Sequence, residues 1–309
     1  MARPKLPAKA AYITLKNPNA SSLSVLRDLR QQLHHHLTSP RTGRLLTLPP
    51  FKQHILNFKP TDTNKDTSNN NYTWLTDPDS WRKEREDLPN VLVLRTTGPI
   101  FSAGEDPQEP PITTTTTRTI IQETLALRTE ITSLIRHSPA PIITPIKTSS
   151  TVTPTGLHLS LTTDFPIALA NTEFQLPPPA STHLATSLPA MAAISRRLPP
   201  GLAYRLFALG GRVSAGELGR AGGVLDVVPV PEHAESTDTA ARALEERVAG
   251  VVARLAADTA AGRLQALGKW AYWTQLGIDG GGGAGEEDDD GYEAAEKWAG
   301  AVMAEQSQG

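Results

Sequence analysis

Residues Val91 to Asp106 read VLVLRTTGPIFSAGED. Val91, Leu92, Val93 and Leu94 form an unbroken apolar run, the pattern of a strand covered on both faces rather than one alternating between core and solvent. Thr97-Gly98-Pro99 ends the run, Phe101 offers an aromatic anchor, and Ser102-Ala103-Gly104 leaves the backbone bare where a ligand can approach it. A second place of this kind lies downstream. Pro141 to Ile146 (PIITPI) predicts another buried strand, and beyond a Thr/Ser loop Thr155-Gly156 opens the apolar segment Leu157 to Leu161, where a helix is expected to start. Two bare turns, each after a buried strand and one at a helix N-terminus, are what an oxyanion hole requires. Their N–H dipoles are fixed in advance and aimed at developing negative charge.

At these residues the sequence resembles the enoyl-CoA hydratase/isomerase (crotonase) superfamily, whose first loop reads F-S/A-A-G-x-D, here Phe101-Ser102-Ala103-Gly104-Glu105-Asp106. Ala11 to Leu29 (AYITLKNPNASSLSVLRDL) is similar to that family's opening strand and helix. Leu198 to Pro229 (LPPGLAYRLFALGGRVSAGELGRAGGVLDVVP) is similar to its "G…A.ELLLTG..ISA.EAL..GLV..VVP", the most specific of the three matches. Within the superfamily the resemblance is nearest to the enoyl-CoA hydratase domain-containing protein 3 type. It implies an α/β fold, a crotonase-like spiral of β-β-α units, with a helical C-terminal region. It further implies an acyl-CoA or enoyl-CoA thioester ligand, a homo-trimer or hexamer, and no cofactor, since CoA enters as part of the substrate. A mitochondrial location follows by resemblance, with the cytoplasm as the alternative.

Outward from the core, 309 residues suffice for one large domain or two modest ones. The absence of cysteine excludes disulfides, Cys-ligated zinc and a cysteine nucleophile. A net charge of −2 gives no reason to expect attraction to nucleic acid or an anionic membrane, and no apolar run approaches the ~20 residues of a membrane span. The opening MARPKLPAKA carries three cations and no acid, but two prolines break any amphipathic helix, so it reads as a basic terminus rather than an import signal. The closing Gln306-Ser307-Gln308-Gly309 is no peroxisomal or retention address.

A crotonase-like core is expected over 1–235, interrupted by an irregular insertion at 38–80 rich in Pro, Thr, Asn and Lys. Strand Tyr12–Leu15, helix Ser24–Leu37, a Pro-broken flap Pro107–Thr117 and helix Arg118–His137 are predicted in turn, with short helices at Ala190–Leu198 and Gly201–Leu209. A C-terminal helical region, 236–309, is expected to hold one long helix or two over 236–273. An acidic Gly-rich linker at 280–291 and a last amphipathic helix from Tyr292 to Glu305 complete it.

The resemblance assigns the two oxyanion donors to the backbone N–H groups of Glu105 and Thr155. It also places the backbone of Ala103, Gly104 and Gly156 against the substrate, Ala103 facing the adenine end of CoA. Two departures stand beside it. The second loop's small triplet, commonly Gly-Gly-Gly or Ala-Ala-Gly in the family, is Pro154-Thr155-Gly156 here, where the threonine crowds the thioester. The positions of the family's two catalytic glutamates hold His158 and Pro178. Histidine can act as a general base near neutrality; proline can do no proton chemistry. His158 is therefore the one acid–base candidate at a family position, against the alternative of a core histidine. His183, Glu173 and Glu105 are the other nearby candidates. Asp164 reads as structural and Asp106 as a turn residue.

Two functions stay open: an active hydratase or isomerase with an altered acid–base set, and a catalytically degenerate acyl-CoA binder or non-catalytic subunit lacking both glutamates. A nucleic-acid-binding role finds no clustered basic stripe. Three further signals fail on chemistry. Gly280-x-Gly282-x-x-Gly285 follows no buried strand and precedes a run of acids that would repel a pyrophosphate. His34-His35-His36 point in three directions from a helix, poor geometry for one metal, and no metal is expected. Ser102 has Ile100 where a nucleophile elbow needs glycine.

Overall fold

All six residues of Val91–Thr96 are buried, and the two faces of this strand meet different cores. In the computed structural model of the chain, the described residues are 6–15, 23–49, 72–96, 115–147, 151–152, 154–176, 197–224, 226–230, 237–256 and 259–275. The strands are β1 (Ala10–Leu15), β2 (Val91–Thr96), β3 (Ile142–Ile146), β4 (Thr151–Val152), β5 (Phe165–Leu169), β6 (Glu173–Phe174), β7 (Val213–Ser214) and β8 (Asp226–Val228). The helices are α1 (Leu23–Leu37), α2 (Thr73–Thr76), α3 (Pro78–Arg85), α4 (Thr115–Arg136), α5 (Pro154–Thr162), α6 (Pro200–Phe207), α7 (Ala215–Arg220), α8 (Thr237–Leu255) and α9 (Thr259–Gln275).

The main sheet runs β1-β2-β3-β5-β8 with every neighbouring pair parallel, and a small sheet runs β4-β6-β7. Because side chains alternate across a strand, Leu92 and Leu94 point to the face covered by α1, α4 and α5, while Val91 and Val93 point to the face covered by α8. Helices on both faces explain the unbroken apolar run. On the first face Val25, Leu26, Leu29 and Leu33 of α1 meet Ile131, Leu134 and Ile135 of α4. On the second, Leu244, Val248 and Val252 of α8 lie on Ile143 and Ile167.

Helices and strands fall close to their expected places, with differences that have local reasons. α4 begins at Thr115, inside the predicted flap. α5 begins at Pro154, three residues before the apolar segment, because proline at a helix start loses no intrahelical hydrogen bond. The predicted stretch 236–273 forms two helices, α8 and α9. β5 (FPIAL) was not anticipated, being short and led by Phe165-Pro166.

The described parts of 38–80 are packed into a third core. Leu46 and Leu48 join Trp74, Leu75 and Trp81 there, together with Ala266, Leu267 and Trp270 of α9. The rings of Trp74 and Trp81 stack with centroids 5.7 Å apart. Asp77 caps α3, its carboxylate accepting from Ser80 N at 2.7 Å; the Ser80 side chain foremost, and this backbone bond with it, hold the acid below its usual range. Arg85 is fully buried, donates to the Pro89 carbonyl at 2.6 Å, and is pushed down to about 9 by desolvation. The predicted helix Tyr292–Glu305 and linker 280–291 lie outside the described residues, as does most of the predicted helix Ala190–Leu198.

Candidate functional site

β2 and β3 are adjacent and parallel, with Leu92 opposite Ile142 and Val93 opposite Ile143. The segments following Thr96 and Ile146 therefore leave the same edge of the sheet, side by side. One continues toward Ala103, Gly104 and Glu105, which lie outside the described residues. The other passes through β4 into α5, where Thr155 and Gly156 are the second and third helical residues. N–H groups in the first turn have no carbonyl one turn earlier to bond, and the helix dipole adds partial positive charge there. Gly156 is buried.

His158 is also buried, with 5% of its surface exposed. Its Nε2 lies 2.8 Å from the hydroxyl of Thr132 on α4, and that hydroxyl is 2.7 Å from the carbonyl of Arg128. A hydroxyl has one proton to give. Thr132 spends it on Arg128 and so accepts from His158, which fixes the Nε2–H tautomer. Nothing in the sequence around Thr132 announces this pairing, since it joins two helices 26 residues apart. Serine and threonine hydroxyls close the rest of α5 internally: Ser160 donates to Gly156 O at 2.6 Å and Thr162 to His158 O at 2.7 Å.

Of the other candidates, Glu173 sits in β6 and is paired with Arg212 at 3.2 Å near the surface. Pro178, His183, Asp106 and Ser102 lie outside the described residues. Of the three consecutive histidines, His34 faces Glu130 at 3.5 Å, His35 is exposed, and His36 is half-buried with its pKa lowered by desolvation and by its neighbour His35. They share no common ligand point.

Asp164 occupies the start of β5 as a hub. Its Oδ2 accepts from Ile142 N at 2.7 Å and from Lys269 Nζ at 2.8 Å, and its Oδ1 accepts from Trp273 Nε1 at 3.0 Å. This aspartate ties α9 to the sheet edge opposite the two loops. Among the described residues no helix is long and apolar enough to cross a membrane.

Comparison with known proteins identifies the family and the fold. A family model described as enoyl-CoA hydratase/isomerase matches residues 79–267. The chain is similar to the rat protein named enoyl-CoA hydratase domain-containing protein 3, mitochondrial, with 29% identity over 196 residues, 63% of this chain and 59% of the relative. The mouse protein of the same name matches to the same extent, so the match spans about three-fifths of these relatives' length. In structure the chain is similar to the human enoyl coenzyme A hydratase domain-containing protein 3, with a TM-score of 0.61, 19% identity, and coverage of 97% of this chain and 90% of that one. It is also similar to an enoyl-CoA hydratase/isomerase family protein from Silicibacter pomeroyi, with a TM-score of 0.63, 18% identity, and coverage of 99% and 98%. The fold is the crotonase-like α/β spiral, and the chain belongs to the enoyl-CoA hydratase/isomerase family.

Proposed function

We propose that the protein binds an acyl-CoA or enoyl-CoA thioester and stabilises its enolate through the backbone N–H groups of Glu105 and Thr155, in hydration or isomerisation of an enoyl-CoA. One observation carries the reading: Thr155 lies in the first turn of α5, on a segment leaving the same sheet edge as the one that leads to Glu105. Amides held there need no reorganisation as charge develops on the thioester oxygen. The backbone of Ala103, Gly104 and Gly156 lines the path of the substrate in this reading. No cofactor enters beyond the CoA of the substrate. A homo-trimer or hexamer and a mitochondrial location accompany the proposal, the latter supported by the relatives' names.

A second reading, an acyl-CoA binder without turnover, is favoured by His158. Its Nε2 is committed to Thr132 and it is buried between helices, while Pro178 offers no proton chemistry. Spectrophotometric hydration of crotonyl-CoA, run beside calorimetric binding of hexanoyl-CoA, separates the two. Turnover that falls in His158→Ala supports the first reading with His158 as the acid–base group. Turnover unchanged in the variant removes His158 from the mechanism. Binding without turnover selects the second reading, and neither binding nor turnover overturns both.

A further inference from the structure

A cavity of about 340 Å³ lies at the other edge of the main sheet. Pro141 and Asp164, which precede β3 and β5, form its floor, and α9 forms a wall through Gln265, Gly268, Lys269 and Tyr272. The two loops of the proposed thioester site leave the opposite strand ends, roughly 15 Å away at about 3.3 Å per strand residue. The cavity walls are mainly apolar, from Pro141, Phe165, Pro166 and Leu255.

Its charged groups are unequally satisfied. Lys269 spends its donors on Ile135 O, Ala140 O and Asp164 Oδ2, and Asp164 is filled by Lys269, Ile142 N and Trp273 Nε1. Arg197 is different. One terminal nitrogen donates to Thr163 O at 2.8 Å and the other makes a long contact to Asp164 O at 3.4 Å. Its Nε is buried with no acceptor among the described residues. The guanidinium lies over the ring of Trp273, 5.2 Å from the centroid, which fixes its plane. Lys269 is already neutralised by Asp164, while Arg197 lines the cavity with no counter-ion among the described residues.

Gly268 supplies the second observation. Glycine is the poorest helix former after proline, so a glycine inside a helix has a reason. In the same helix Gly262 has one: an added Cβ would meet the Asn90 side chain at 2.6 Å. A Cβ on Gly268 would meet nothing within 4 Å, yet Gly268 lines the cavity. Its missing side chain keeps that volume open.

We propose that this cavity binds a medium-chain alkyl carboxylate, with its head against the guanidinium of Arg197 and its chain along the apolar wall. A carboxylate accepts the fork of donors that a guanidinium presents, and an apolar wall rewards the chain rather than a hydrophilic anion. At roughly 30 Å³ for each small heavy-atom unit, the volume takes about eleven of them, close to the heavy atoms of a carboxylate of about nine or ten carbons. The site is independent of the thioester proposal.

Isothermal titration of the full chain with decanoate and with 1-decanol tests it. Decanoate is expected to bind one saturable site and decanol about tenfold more weakly, the loss of one charge-assisted contact. Arg197→Gln should bring decanoate down to the decanol level. Because Arg197 also supports the Thr163 and Asp164 carbonyls, Gly268→Leu is the second variant. It fills the cavity from a position with free space and should abolish decanoate binding with an unchanged or higher Tm, leaving hexanoyl-CoA affinity as in the parent. No saturable decanoate binding, equal affinity for the alcohol, undiminished binding in folded Gly268→Leu, or displacement of decanoate by hexanoyl-CoA would each overturn the proposal.

Discussion

Lys269 Nζ and Asp164 Oδ2 are 2.8 Å apart, in a place where the lysine side chain is 4% and the aspartate side chain 10% exposed. Desolvation lowers the Lys269 pKa from its ordinary value, and the attraction of Asp164 opposes that shift. The two partners are not equivalent. Asp164 keeps bonds from Ile142 N and Trp273 Nε1 when the lysine is gone, whereas Lys269 without Asp164 is a buried cation held only by carbonyls. Asp164→Ala is expected to cost about 3–5 kcal/mol, and Lys269→Met distinctly less, since methionine fills the space with an apolar chain. Urea denaturation of the two variants checks the order; equal losses would contradict it.

Thr155→Pro isolates the proposed oxyanion donor. Proline is tolerated in the first turn of a helix, so α5 should persist from position 155 onward, with Pro154 pushed out of helical geometry, while the N–H at this position disappears. If the protein turns over crotonyl-CoA, kcat should drop by about 10²–10³ with the far-UV circular dichroism unchanged. A variant with full kcat removes Thr155 from the mechanism.

Two glycines of α9 should respond oppositely to the same change. Gly262→Ala places a Cβ 2.6 Å from Asn90, which is 2% exposed and has no room to retreat, at a cost of about 1–3 kcal/mol. Gly268→Ala meets nothing and gains helix propensity, a stabilisation of up to about 1 kcal/mol. Thermal melts of the pair decide the matter, and shifts in the same direction would contradict the packing around α9.

Glu217 closes a capping box on α7. It accepts from Ser214 N at 2.9 Å and from Arg205 Nη2 at 2.7 Å, and these bonds, the backbone one foremost, lower its pKa from 4.5 to about 2. A carboxyl whose pKa is depressed by folding stabilises fully above its unfolded value and loses that contribution as pH falls from 4.5 through about 2. Glu217→Gln should therefore cost about 1 kcal/mol at neutral pH, a figure kept small by the partial exposure of the side chain, and nothing by the acid end of the window. Tm measured against pH for parent and variant gives the two curves, which should converge on acidification.

The insertion predicted at 38–80 shows where composition misleads. Pro, Thr and Asn are frequent there, but Trp74 and, one residue past its end, Trp81 each bury a large ring, and Asp77-Pro78-Asp79-Ser80 is a helix start in four residues. The tryptophans were visible in the sequence; the surface of α9 that receives them was not. His158 carries the same lesson at the candidate site. Its register followed from the resemblance, while its bond to Thr132 depends on how two helices cross.

The sequence by itself determined what depends on neighbours in the chain: the doubly covered strands Val91–Thr96 and Ile142–Ile146, the amphipathic α1 and α4, a helix carrying Leu157 to Leu161 after Thr155-Gly156, and the family. These are legible because periodicity and turn chemistry act over a few residues. Only the tertiary structure decided that Lys269 meets Asp164, that the Trp270 indole donates to Pro49 O, and that Arg197, Asp164 and Lys269 line one cavity. Those contacts join residues 105 and 221 positions apart, and burial patterns report that a side chain is covered without reporting by what.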